Sequence, residues 1–339
     1  MGRLAKGHSP SPSPEMLAWR DQRIPLVEGE KVERPTRLRR SILSVPSNRE
    51  KMVLKAFALP VDVIMLDLED SVPVQEKDEA RSRVISILKE KDWGNKVRCY
   101  RINGMDTPFA YRDIVDVVEA AGDRIDVVVI PKVNDAAEVK AIDYLLTQIE
   151  LRMGFKVPIG LEASIETALG MLKVEEIAFS SPRLESLVFG VADYGASVTM
   201  MSKGISGHGD REEFYPGHRW HFPLSRMVMA AKAAGLEAID APYGDYKDPE
   251  GLRRSCVLSA ALGYDGKWAI HPDQVGIIND VYTPSAEDVE RSRKIVEAYG
   301  KAQQEGCGSL AIEGKMVDAA SIRVAKMVCA QADAIARRS

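Results

Sequence analysis

Short apolar runs recur along the chain, each closed by a turn or a charged residue, and nearly all are separated by stretches with helical spacing. They cover residues 41–45, 61–70, 97–103, 125–132, 157–161, 184–191, 237–242 and 266–271. Unbroken apolarity, as in Val127-Val128-Val129-Ile130, marks strands covered on both faces, the habit of parallel strands. The connecting stretches read as helices. Pro46-Ser47-Asn48 is a turn that caps a helix from Arg49 to about Leu59. Thr107-Pro108 offers an N-cap and a proline for the first helical position, and another helix starts at Asp135. A doubly wound open sheet also alternates in this way, but eight units of this spacing favour closure into a (β/α)8 TIM barrel. The expected architecture is α/β, with an N-terminal arm at 1–36, a barrel at 37–300 and a C-terminal helical extension at 301–339. The arm is rich in Ser, Pro and charge and reads as extended or partly disordered. The extension follows a helical stretch and offers a short turn or hairpin and a last amphipathic helix; a tail of this size covers its own barrel or reaches a neighbour.

The bulk numbers narrow the function classes. A 339-residue chain with 45% hydrophobic residues buries a large core, and a single barrel commonly takes roughly 250 residues. A net charge of −4 argues against a general nucleic-acid or membrane binder. No apolar run approaches the roughly 18 residues of a membrane span, and the first residues lack the apolar stretch of a secretory signal. Cys99, Cys256, Cys307 and Cys329 are scattered without a CxxC pair, so reduced thiols and a cytoplasmic location are expected.

In a barrel the chemistry sits at the carboxyl ends of the strands. The residues there are Glu69 and Asp70, Arg101 and Asn103, Lys132, Glu162 and Glu166, Asp193, Asp240 and His271. Glu162, Glu166 and Asp193 would share one mouth. Two or three oxygen ligands without His or Cys suit Mg²⁺, whose other positions go to water and substrate; helix capping and rim solvation are the plainer alternative. An arginine inside a ring of acids must serve them or a substrate anion. Mg²⁺ and arginine in one cavity suit an enolate or a carboxylate-bearing carbonyl compound. Lys132 stands where a Schiff-base aldolase would carry its amine, although a salt bridge is the simpler role. Arg37, Arg39, Arg40, Arg49 and Lys55 form the most basic neighbourhood, either a solvated cluster or a seat for phosphates. The polar, Gly-rich stretch 195–223 reads as a long rim loop; its His208, His218 and His221 fit no familiar zinc spacing. There is no GxGxxG after a strand, no GxxxxGK[ST], no GxSxG and no HExxH.

Eight motifs occur in order over about residues 37–330: RRSILSVPSNREKMVLKA, DLEDSV followed by Lys77 and Ala80-Arg81, RIN, IPKV, IETALG, FGVADYG, GYDGKWAIHPDQV and EGKMVD. In this series the chain resembles the citrate lyase β-subunit-like family of the HpcH/HpaI aldolase superfamily, Mg²⁺-dependent barrels that make and break carbon–carbon bonds next to thioesters. Within it the arm, the long loop and the IETALGM context look most similar to broad-range malyl-CoA lyases. The resemblance implies that Glu166 and Asp193 hold Mg²⁺, with Mn²⁺ as a substitute, and that Glu162 supports them. It implies that Arg101 grips substrate oxygens, with Glu69 and Asp70 in the catalytic set. Arg40, Arg49 and Lys55 would meet CoA with Ser44 beside the nucleotide, and Ala192, Asp193, Ile270 and His271 would line the pocket. Asp318 would be the acid/base, delivered from an adjacent subunit of a homo-oligomer, a trimer or a hexamer made of two trimers. One departure stands out: Ser44 occupies a position before VP that often holds an aromatic, which puts adenine stacking there in doubt. The implied reaction is reversible cleavage of (S)-malyl-CoA to acetyl-CoA and glyoxylate. β-Methylmalyl-CoA (to propionyl-CoA and glyoxylate) and (S)-citramalyl-CoA (to acetyl-CoA and pyruvate) are further expected substrates. A citryl or carrier-protein thioester lyase, a malyl-CoA thioesterase and a non-catalytic CoA-ester-binding barrel are the alternatives.

Overall fold

The apolar runs become eight parallel strands, hydrogen-bonded in chain order and closed on themselves. The computed structural model describes residues 37–200, 219–304, 310–312, 315–317 and 319–338. The expected arm, His208, His218, Cys307 and Asp318 lie outside the described residues. In order, the barrel runs β1 (Ser41–Pro46), α1 (Glu50–Phe57), β2 (Val63–Asp67), α2 (Lys77–Glu90), β3 (Val97–Arg101), α3 (Ala110–Ala121), β4 (Val127–Ile130) and α4 (Ala136–Met153). It continues with β5 (Gly160–Ile165), α5 (Ala168–Leu172), α6 (Val174–Ala178), β6 (Leu184–Phe189), α7 (Val191–Ser197), α8 (His221–Ala233), β7 (Glu237–Asp240), α9 (Pro249–Leu262), β8 (Gly266–Ala269) and α10 (Gln274–Val281). Closure is made by β1 on β8, with Ser41 opposite Lys267 and Leu43 opposite Ala269.

Side-chain alternation explains why the runs are apolar throughout. One set of positions, among them Ile42, Val63, Met65, Cys99, Val129, Val188, Ile239 and Trp268, fills the barrel. The alternate set, including Leu43, Ile64, Leu66, Tyr100, Val128 and Leu187, meets the helices. Expected helix starts hold in part. Asp135 caps α4, its Oδ1 accepting from the Ala137 N–H at 2.8 Å. Thr107 does not cap α3; it donates to the Gly104 carbonyl at 2.7 Å in a turn, and the helix begins at Ala110.

Alternation also corrects two acids expected at the mouth. Glu162 lies mid-strand, two residues below Ser164, and faces the barrel interior, where Ser186 Oγ donates to its Oε2 at 2.6 Å. Asp240 is out of phase with Ile239, so it turns to the helix side and accepts from Lys267 Nζ at 2.5 Å. Both members of that pair are buried.

The basic neighbourhood splits between the two ends of β1. Six residues at about 3.3 Å each separate them by roughly 20 Å. Arg49 is exposed just beyond its carboxyl end, and Lys55 is exposed in the last turn of α1. Arg40 precedes it, and pairs with Asp62 at 2.9 Å and Thr283 at 2.7 Å. Arg40 is therefore at the far end from the mouth, and its expected place against CoA is wrong. Beside it Arg39 is buried against Glu185 and Glu237, and Arg37 bridges Glu185 and Asp126, so that charge closes the amino end of the barrel.

Beyond the barrel, α11 (Ala286–Gln304) and α12 (Ala319–Arg338) flank an antiparallel hairpin of β9 (Leu310–Ile312) and β10 (Lys315–Val317). Tyr299, Val317 and Ile322 form a small cluster apart from the two barrel clusters. Among the described residues no helix is long and apolar enough to cross a membrane.

Removing one member of a buried ion pair strands the other. Lys267→Met should lower unfolding stability by about 3–5 kcal/mol in urea titrations, and adding Asp240→Leu should recover much of the loss.

Candidate active site

Asp67 ends β2 and Arg101 ends β3, and the register places them side by side. Arg101 Nε and Nη2 donate to the two Asp67 oxygens at 2.7 Å each, a bidentate fork. Nη1 lies 2.9 Å from Glu69 Oε2, and the Trp268 ring sits 5.6 Å beneath the guanidinium carbon. Burial opposes the Arg101 charge, but Asp67, Glu69 and Glu166 outweigh it, so the guanidinium stays charged. Burial likewise opposes the Asp67 charge, yet Arg101 holds that carboxyl below its usual range. The turn that carries Glu69 is fastened from below: buried Lys77 Nζ donates to the carbonyls of Leu68 and Glu69 at 2.7 Å each.

Lys132 joins this half of the mouth to the other. It follows β4 and has φ 51°, a left-handed backbone that a lysine seldom adopts. In that conformation its N–H donates to Glu166 Oε1 at 2.7 Å. Its ammonium reaches Glu69 and Asp70, and lies 4.0 Å from Asp193 Oδ1. Burial would lower the Lys132 pKa, but Glu69 and Asp70 raise it above the ordinary lysine value. Of the two roles open to Lys132, the salt bridge is the one observed.

Glu166 follows β5. The next residue, Thr167, caps α5 by accepting from the Gly170 N–H at 2.9 Å and donates to Asn134 at 2.6 Å, locking the turns after β4 and β5 together. Gly190, after β6, lies so close that a Cβ there would stand 2.1 Å from Glu166 Oε2. Only glycine admits the carboxyl. Asp193 sits in the first turn of α7, half-buried. Glu166 is pushed up to about 7, by burial first and then by Glu69 and Asp193, against the pull of Arg101 and the Lys132 N–H.

On the adjoining rim Ser44 is half-buried in β1, and Ile270 and His271 follow β8 with both N–H groups on Gln274 Oε1, at 2.9 and 3.2 Å. The His271 ring stacks on Tyr246 at 4.5 Å. Ala192 is exposed in the first turn of α7. Asn103, by contrast, turns to the helix layer, where Asp113 accepts from its side chain at 2.5 Å and from Arg81 at 2.9 Å. Of the expected residues, then, Glu69, Asp70, Arg101, Glu166 and Asp193 gather around Lys132. Sequence reasoning missed Asp67, though its phase with Val63 and Met65 marks it as inward-facing, and it missed Tyr246.

Among the described residues no group of three or more His, Cys, Asp and Glu side chains is disposed to hold a metal ion. Glu166 and Asp193 are two hard oxygen donors, and a buried carboxyl held near 7 beside other carboxylates is one that a cation would relieve. The donor set fits a Mg²⁺-type ion that keeps several waters.

A closed eight-stranded barrel with its acids, arginine and lysine gathered at the carboxyl mouth is the architecture of a (β/α)8 enzyme. Residues 40–272 match the HpcH/HpaI aldolase/citrate lyase family, and the chain belongs to that family. It is 44% identical over 307 residues to the L-malyl-CoA/beta-methylmalyl-CoA lyase of Rhodobacter capsulatus, covering 88% of this chain and 96% of the relative. A (3S)-malyl-CoA thioesterase of Cereibacter sphaeroides is 37% identical, over 88% of this chain and 95% of the relative. Among solved structures, the CitE protein of Mycobacterium tuberculosis in complex with magnesium, acetoacetate and coenzyme A is similar with a TM-score of 0.66 and 28% identity. That alignment covers 86% of this chain and 97% of the other.

Glu166 favours its neutral form in the fold, so its ionisation destabilises the metal-free protein as pH rises from its ordinary value through about 7. Glu166→Gln removes that term. In EDTA the variant should match wild type near pH 4.5 and exceed it by about 1–3 kcal/mol at pH 8 in urea unfolding.

Proposed function

We propose that the protein is a Mg²⁺-dependent carbon–carbon lyase that cleaves (S)-malyl-CoA to acetyl-CoA and glyoxylate, reversibly. The observation that carries this reading is the meeting of fixed Arg101 with Glu166 and Asp193 at one mouth, in a chain 44% identical to a named lyase of this kind. Magnesium on Glu166 and Asp193, with manganese as a substitute, would supply Lewis-acid polarisation of the hydroxy-acid oxygens. Arg101 binds the negative oxygens of the substrate. Because Asp67 and Glu69 already hold its guanidinium, it meets developing charge without rearranging. Glu69 and Asp70 serve the reaction by keeping Arg101 and Lys132 in place. Loss of the hydroxyl proton to water lets the electrons of the C2–C3 bond pass to the thioester side, leaving glyoxylate and the enolate of acetyl-CoA. Asp318 gives its proton to the enolate carbon and in the condensing direction removes it. Asp318 comes from the tail of an adjacent subunit, in a homo-oligomer of three or six copies. Arg49 and Lys55 meet the CoA phosphates, with Ser44, Ala192, Ile270 and His271 along the thioester. A methyl group changes binding by only roughly 1–3 kcal/mol, so β-methylmalyl-CoA and citramalyl-CoA are further substrates. Free thiols at Cys99, Cys256 and Cys329 support a cytoplasmic location.

The thioesterase relative makes hydrolysis to malate and CoA the second reading. Incubation with malyl-CoA and Mg²⁺, with glyoxylate trapped as a hydrazone, separates the two. Equal amounts of glyoxylate and acetyl-CoA are expected; free CoA without glyoxylate would establish the hydrolase. Asp318→Asn should lower lyase turnover by about 10²–10⁴-fold while CoA-thioester binding persists. Glu166→Ala should lose the Mg²⁺-dependent activity.

A further inference from the structure

Among the described residues, Lys132 is the one whose hydrogen bonds and ion pairs reach both halves of the mouth. Its backbone N–H is given to Glu166, and its ammonium lies among Glu69, Asp70 and Asp193. The left-handed backbone is what makes this double contact, since it turns the N–H and the side chain into the same cavity. Arg101 is paired with Asp67 and Glu69, and none of the described ion pairs joins it to Asp70, Glu166 or Asp193. The ammonium is the only other cation that the described ion pairs place at these acids.

Resting on the metal-site reading above, we propose that Lys132 is the resident counter-ion of the mouth, holding its carboxylates together and competing with the divalent cation for them. A positive charge 4.0 Å from Asp193 repels a cation arriving at the same oxygen. The ion is thereby bound loosely enough to exchange, and its arrival leaves the ammonium with Glu69 and Asp70. Lys132 is a positioning residue: it acts on the metal through the carboxylates, and no bond to it forms or breaks.

The test is Mn²⁺ binding to metal-stripped, full-length protein, followed by the electron paramagnetic resonance signal of free Mn²⁺. Lys132→Met should bind Mn²⁺ more tightly, by about tenfold, and Lys132→Arg should stay within about threefold of wild type. Lys132→Gly suits the left-handed backbone, retains the N–H to Glu166 and should match the methionine variant, which separates lost charge from backbone strain. Both neutral variants should show a larger Mg²⁺-induced rise in melting temperature than wild type, because their metal-free state lacks the counter-ion. Affinity unchanged or weakened in both neutral variants would overturn the role of Lys132 and leave the metal-site reading intact. A wild type that binds no Mn²⁺ would overturn both.

Discussion

A single guanidinium makes the mouth of this barrel tenable. Arg101 lies in the low-dielectric interior at the end of β3, and its charge holds the buried Asp67 carboxyl below its usual range, while burial still pushes that of Glu69 up. The fork to Asp67 is set by strand register, and the third contact to Glu69 by a turn that Lys77 fastens through two carbonyls. Trp268 closes the underside. Nothing in this assembly waits for substrate to be ordered, which is what electrostatic preorganisation requires. The neighbouring half, built on Glu166, is the opposite case. It is a carboxyl hemmed in by Gly190 and by other acids, held near neutrality until something positive arrives.

Most of the fold could be read from the chain, because parallel strands buried on both faces leave a plain apolar signature. The number and order of the strands agree with that reading, and so do the helix start at Asp135 and the hairpin in the tail. What failed were questions of phase and end. Arg40 and Arg49 look like one cluster in sequence, yet a six-residue strand puts them at opposite faces. Glu162 and Asp240 look like rim acids, yet one lies mid-strand inside the barrel and the other points to the helices. Thr107 has the chemistry of a cap, but its hydroxyl is drawn to Gly104 first. The double contact of Lys132 depends on one unusual backbone angle, which no pattern of residue types announces.

The two ends of the barrel use charge differently. At the amino end Arg37, Arg39, Arg40 and Arg98 are matched by Asp62, Asp126, Glu185 and Glu237, a balanced plug. At the carboxyl end acids outnumber the two cations that serve them. The uneven end is where an incoming cation and anion would find partners.

Closure through Ser41 and Lys267 has a consequence for how the chain comes to be. The first barrel strand to be made is also one wall of the last seam, so its free edge stays unpaired until nearly the whole barrel sequence has been made. An unpaired parallel edge invites wrong partners. Three arginines in the four residues before that strand place a block of positive charge at the vulnerable border during the wait. The same side chains that later cork the finished barrel are therefore well placed to guard its unfinished rim against association with other nascent chains.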